Sequence, residues 1–334
     1  NAALVVREFS IVTRDAAGNV TGVQNPYAEI DYKTSGGHDA YNALMVSLNR
    51  RSTSGVGLNL QYTLGESRGT SGGSNESNTA ANNARTLADF EYDNGYNNFD
   101  VRHTFNLSAL YSIPYGKGRK HGADASGLRQ ALLGGWDVGG IVNARSGVPV
   151  PVQIVRPDIL YRDGSGLYFA NPAVGRTAVI NTPRGGASRN VRRPNLVPGV
   201  DPYVKSGGLL FLNPAAFAVP LPGTFGNLER NSIHGPSVKQ VDAFLAKHFS
   251  LGGRRNFELR VEAFNILNAD NFALPVGTLP QAIPATATSA TTLQPGQAYN
   301  ATTAGTFGLL TSTIGRTVGL GTNRQVQFAV RLNF

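Results

Sequence analysis

The sequence predicts an all-β fold, an antiparallel transmembrane β-barrel with about eight strands and long extracellular loops. Three observations predict it. Several segments alternate apolar and polar residues with period two, and the connections between them are very unequal in length. No apolar run approaches the roughly 18 residues that a membrane helix needs.

The last segment shows the alternation most clearly. Across 324–334, Val326, Phe328, Val330, Leu332 and Phe334 share one face, and Gln325, Gln327, Ala329, Arg331 and Asn333 share the other. In a strand successive side chains point to opposite faces, so these two sets meet different surroundings. Lipid is expected on the first face. A wet lumen is expected on the second, at Gln325, Gln327 and Arg331. The same pattern recurs at 57–64, 104–113 and 257–263, where Glu258, Arg260 and Glu262 alternate with Phe257, Leu259, Val261 and Ala263. Three charged groups in an apolar core would cost several kcal/mol each. Facing a lumen, they can pair across strands. Further strands are expected at 28–33, 41–50, 136–145 and 238–249, with 4–13 as a candidate ninth.

The connections fix the sidedness. Those at 51–55 and 250–255 are tight, and 114–135 is moderate and basic. Those at 66–100, 151–237 and 268–323 are long and rich in Gly, Ser, Asn and Thr. Long structureless loops are uncommon in compact soluble domains. Outer-membrane barrels, in contrast, have short periplasmic turns and long extracellular loops. Counting back from the last strand places all three long segments outside, with a further short outer turn at 35–39. Tyr111, Tyr115, Phe249 and Phe334 are then expected near the periplasmic boundary, where amphipathic rings are favoured.

Composition agrees and narrows the chemistry. Among 334 residues there are 40 glycines and 18 prolines, which favours turns over long helices. Cysteine is absent, so no disulfide framework or thiolate site exists. The net charge is +9, but the basic residues run from Arg7 to Arg331 with no run longer than two. That lacks the clustered footprint of nucleic-acid binding. No cofactor motif is present. The five histidines lack metal-site spacing, Gly319–Leu320–Gly321 is too short for a dinucleotide fingerprint, and Ser146 lacks a nucleophile elbow. The one cluster of oxygen ligands that could take calcium is Asp89, Glu91 and Asp93 before Gly95. Phe90 and Tyr92 interrupt it, and no distal glutamate completes it. An enzyme is not expected.

Several blocks, in order along the chain, resemble the Oar-like branch of the TonB-dependent receptors. One is Tyr41-Asn42-Ala43-Leu44 running to Ser47-Leu48-Asn49-Arg50-Arg51 and Leu60-Gln61-Tyr62-Thr63. Another is Phe99-Asp100-Val101-Arg102-His103 with Ile113-Pro114-Tyr115-Gly116-Lys117-Gly118-Arg119. Then come Leu133-Gly134-Gly135-Trp136 and Ser146-Gly147-Val148-Pro149. Asn213-Pro214-Ala215-Ala216-Phe217, Phe225-Gly226-Asn227 and Asn231-Ser232 follow. The last runs from Glu262-Ala263-Phe264-Asn265-Ile266-Leu267-Asn268 through Asn271-Phe272 and Phe307-Gly308 to the closing strand. The resemblance implies that residues 26–334 form the C-terminal part of a barrel of about 22 strands. Residues 1–25 would end a preceding region and hold a candidate edge strand. It also implies a plug and a TonB box elsewhere in the polypeptide, with transport by plug remodelling when TonB pulls. The implied partners are outer-membrane lipid, TonB, and barrel-assembly machinery reading the terminal strand. The implied localisation is the cell outer membrane. The competing reading, from a different class, is a surface adhesin or structural barrel module.

Overall fold

The computed structural model describes residues 10–24, 35–52, 55–71, 89–181, 192–252, 255–283, 293–315 and 323–334. Ahead of the main sheet stand β1 (Ile11–Arg14) and β2 (Val20–Gln24). The long strands are β3 (Asp39–Arg50), β4 (Val56–Gly69), β6 (His103–Ser112), β7 (Trp136–Arg145), β14 (Val238–Gly252), β15 (Arg255–Phe264) and β17 (Gln325–Asn333). Shorter strands lie between them. They are β5 (Gly95–Tyr96), β8 (Gln153–Ile154), β9 (Ile159–Arg162), β10 (Tyr168–Phe169), β11 (Thr177–Ile180), β12 (Asn195–Leu196), β13 (Phe217–Ala218) and β16 (Thr278–Leu279).

The seven long strands form one antiparallel sheet in the order β17-β15-β14-β7-β6-β4-β3, with β5 paired onto the end of β4. Each long strand thus pairs with the next in sequence, the meander that the alternation predicts. The expected strand at 28–33 lies outside the described residues. The candidate ninth strand is described only as Ile11–Arg14, and it pairs with Val20–Gln24 in a separate two-stranded sheet rather than joining the wall. The tight turn after β14 is shorter than expected, because pairing continues to Gly252 opposite Arg255. The moderate connection contains a helix, α1 (Gly127–Leu133), which the sequence pattern did not suggest.

The main correction concerns the long loops. Their described parts are not structureless; they share the largest buried apolar core among the described residues. Val150, Val152, Ile154, Leu212, Phe217, Leu228, Ile233, Leu279, Tyr299 and Phe307 come from two of the long connections and pack together. Parallel pairing of β16 with β8 ties those two connections to each other. Bridges between Gly95 and Arg230, and between Leu210 and Leu309, add the third connection and close the unit. The described parts of all three long segments therefore sit at one end of the wall, as a single cap. The wall itself buries little on either face, which is how a sheet between lipid and lumen differs from a sandwich.

Candidate functional site

The register sorts every wall side chain onto one of two faces. Leu332, Val330, Phe328 and Val326 stand opposite Phe257, Leu259, Val261 and Ala263. These continue to Phe249, Leu245, Ala243 and Val241 on β14 and to Trp136, Val138, Gly140 and Val142 on β7. Tyr111, Ala109, Leu107 and Phe105 on β6 extend the set. It ends at Leu58, Leu60, Tyr62 and Leu64 on β4 and Leu44, Val46 and Leu48 on β3. This is one continuous apolar face. Phe328 is 77% exposed and Phe334 95%. At the tight-turn rim Tyr111, Trp136, Phe249 and Phe257 make an aromatic fringe. Lys247 stands within it. Its ammonium is bonded to the Gly134 carbonyl and lies 5.1 Å from the centres of the Trp136 and Phe249 rings. Tyr115, expected at this boundary, instead folds into the connection, where its hydroxyl accepts a bond from Arg129 Nε at 2.6 Å.

The opposite face is polar. Glu258 pairs in register with Arg331, Arg260 with Ala329, Glu262 with Gln327, and Phe264 with Gln325. The structure thus brings together Glu258, Arg260, Glu262, Gln325, Gln327 and Arg331 on one surface. Sequence reasoning missed their partners on the neighbouring strands. His248 Nε2 lies 3.0 Å from Asp137 and its Nδ1 3.9 Å from Glu258, so the imidazole bridges two carboxylates. Arg260 Nε is 2.8 Å from Glu262, and its guanidinium stacks 3.9 Å from the Phe244 ring centre. Across β4 and β6 the same face carries Asn59, Gln61 and Thr63 opposite Ser108, Asn106 and Thr104. One half of the wall is therefore ionic and the other neutral and hydrogen-bonding.

The cap lies on this polar side at the long-loop end. Along the start of β14, Val238 is buried, Lys239 exposed and Gln240 buried again. Ser67 is buried too, and its amide donates to Asp100 Oδ1 at 2.6 Å. Gly147 approaches so closely that a Cβ there would stand 1.8 Å from the Gly235 carbonyl oxygen. Four contacts latch the cap segments to one another and to the wall. Asp93 and Arg193, each 4% exposed, form a buried ion pair, and Arg193 also donates to the Tyr92 carbonyl at 2.7 Å. Arg230 donates to the carbonyls of Gly69 and Gly95. Arg68 pairs with Glu229 and stacks on Tyr96. His234 approaches Asp100 at 3.7 Å. Deeper in the cap, Arg156 donates to the carbonyls of Thr224, Asn181 and Leu221. Burial pushes its pKa down to about 10, which leaves it charged at neutral pH.

The candidate calcium ligands do not converge. Asp93 turns inward onto Arg193, while Glu91 is exposed and accepts a bond from Asn94 Nδ2 at 2.9 Å. Asp89 precedes the short 3₁₀ turn at Phe90–Asp93 without capping it through its side chain. Among the described residues no three His, Asp or Glu side chains are arranged to hold a metal.

Residues 7–327 match the family described as the outer membrane beta barrel domain, and the chain belongs to that family. It is an outer-membrane β-barrel protein, and the apolar face is the one that such a barrel turns to lipid. No curated protein and no solved structure matches the chain.

Two expected outcomes arise here. The chain has no cysteine, so single cysteines report sidedness cleanly. Ser165→Cys on the cap should react with a membrane-impermeant maleimide on intact cells, and Ser250→Cys at the tight turn should not. Labelling of Ser250→Cys alone would invert the topology. The second concerns the exit from β15. Asn265 has φ +48°, and its side chain closes the turn through the Ala269 amide and carbonyl at 3.0 Å each. Ala costs roughly 1–2 kcal/mol in this left-handed conformation. Asn265→Ala should therefore lower the temperature of loss of heat-modifiable folding more than Asn265→Gly.

Proposed function

We propose that this chain forms part of the barrel of a TonB-dependent outer-membrane receptor of the Oar-like type, moving a bulky substrate across the outer membrane. The observation that carries the reading is the combination of a polar inner wall with a cored cap latched over its extracellular end. A wet path closed from outside suits gated passage better than an open pore. The sequence blocks resembling this branch support it. Many of their residues outside the wall strands serve the cap: Asp100 ties it to β4, and Phe217 and Phe307 stack edge to face in its core at 5.2 Å. The edge of β3 supports it as well. All twelve of its residues are exposed, and an unpaired backbone in hydrocarbon costs several kcal/mol per group. Further strands beyond these seven would pair that edge.

The second reading is a surface adhesin, favoured by the size of the folded cap. The full-length protein distinguishes them. A TonB-dependent receptor should crosslink to TonB in living cells, and the phenotype of its deletion should be reproduced by deleting TonB or collapsing the proton gradient. An adhesin would bind its surface partner equally well in cells lacking TonB, and that result would overturn the receptor reading.

A further inference from the structure

On the lipid side of the extracellular rim, one turn positions two cations. Asn271, 1% exposed, accepts from the Lys239 amide at 2.8 Å and donates to the Lys239 carbonyl at 3.0 Å. Asn268, three residues earlier and at φ +50°, accepts from the Arg324 amide at 3.1 Å. Lys239 stands in register with Ala144, and Arg324 lies two residues before Val326, so both belong to the apolar face rather than the lumen face. Both are exposed, and among the described residues neither lies within ion-pair distance of a carboxylate, including the neighbouring Asp270. Strand spacing puts their Cα atoms about 12 Å apart, two strands across and two residues up. Between them on the same turn, Ile266 and Leu267 remain open to solvent, and Val326, Phe328, Val241 and Ala243 run down the wall below.

We propose that the outer ends of β14, β15 and β17 bind a phosphorylated lipid of the outer leaflet. Lys239 and Arg324 hold its phosphate charge, and Ile266, Leu267 and the stripe beneath receive its acyl chains. Charge complementarity selects this occupant. The outer leaflet presents glycolipid phosphates at the level where these cations leave the apolar band, and basic groups beside a membrane surface favour anionic headgroups. Lys239 and Arg324 are also held by their backbones, which leaves both side chains free to meet a headgroup. Arg50 is the matching control, a cation of the same face at the opposite rim.

The test uses full-length protein in detergent, its folded fraction defined by heat-modifiable migration, with native mass spectrometry reading lipid occupancy. The probe is lipid A in its bisphosphorylated form and after enzymatic dephosphorylation. Each surface cation is worth about fivefold. Lys239→Gln combined with Arg324→Gln should therefore raise the half-saturating concentration about 30-fold, while Arg50→Gln leaves it within twofold. Dephosphorylated lipid should bind wild type as weakly as the intact lipid binds the double variant. Lys239→Arg should retain binding where Lys239→Gln loses it, which guards against a fold defect in the pair. Unchanged binding by the double variant overturns the proposal, as does an equal loss in Arg50→Gln. Competition by inorganic phosphate as strong as that by the lipid would reassign the site to a free anion and likewise overturn it.

Discussion

Phe328→Arg should abolish most membrane assembly, while Gln327→Arg in the adjacent position should be accepted. Phe328 stands opposite Val261 on the apolar face, and Gln327 opposite Glu262 on the polar one. A cation on the lipid face costs about 2–4 kcal/mol at the bilayer midplane and much less near the interfaces. Because Phe328 lies midway along β17, most of that range applies, a factor of roughly 30 or more in the folded population. An arginine at 327 instead gains Glu262 as a neighbour in a wet environment. The substituent and the strand are the same in both variants, so strand propensity cannot produce the difference. The measurement is the heat-modifiable fraction in isolated outer membranes. Equal folding of the two variants would mean that both faces of β17 meet the same surroundings.

What was legible in the sequence follows from this period of two. A wall strand meets lipid on one side and water on the other, so each of its residues carries a sign that can be read locally. That is why β17, β15 and β6 could be placed to within about two residues, while β4 was found at its start but runs on to Gly69, and why Glu258, Arg260 and Glu262 could be assigned to one face. The cap left no such signal. Its core residues, such as Val150, Leu212, Phe217, Leu279 and Phe307, sit in short strands and turns with no period of two or of 3.6. Apolar residues so dispersed read as loop. Cap contacts are also non-local, joining residues a hundred or more positions apart, as Arg193 joins Asp93 and Arg230 joins Gly95. The motif blocks held the information in another form. Asn213 caps the turn that delivers Phe217 to the core, and Gly135, at φ +71°, lets the chain pass the His248 carbonyl. The sequence shows such residues as blocks, but only the fold shows what they close.

The cap segments should be held to one another through Asp93 and Arg193, and Arg193→Met should loosen the cap more than loss of any exposed ion pair. Both side chains are 4% exposed, and the guanidinium also stacks 4.1 Å from the Tyr92 ring centre. Removing one partner of a buried pair leaves the other charge without its counter-ion and costs about 3–5 kcal/mol. Methionine replaces the stem but not the charge, so the loss falls on Asp93 rather than on packing. By contrast, the exposed pair of Lys205 and Asp201 at 2.7 Å is screened by solvent, and its loss should leave the cap unchanged. Replacing both buried partners together, Arg193→Met with Asp93→Leu, should recover much of the stability, because an apolar pair no longer strands a charge. The readout is hydrogen exchange of the cap amides in the assembled protein, compared with the amides of β14 and β15. If the cap is a unit latched onto an independent wall, Arg193→Met accelerates exchange at Leu228 and Ile233 while Leu245 and Leu259 keep their protection. Loss of protection at all four together would show that cap and wall unfold as one, and the latch would then be part of the barrel's own stability.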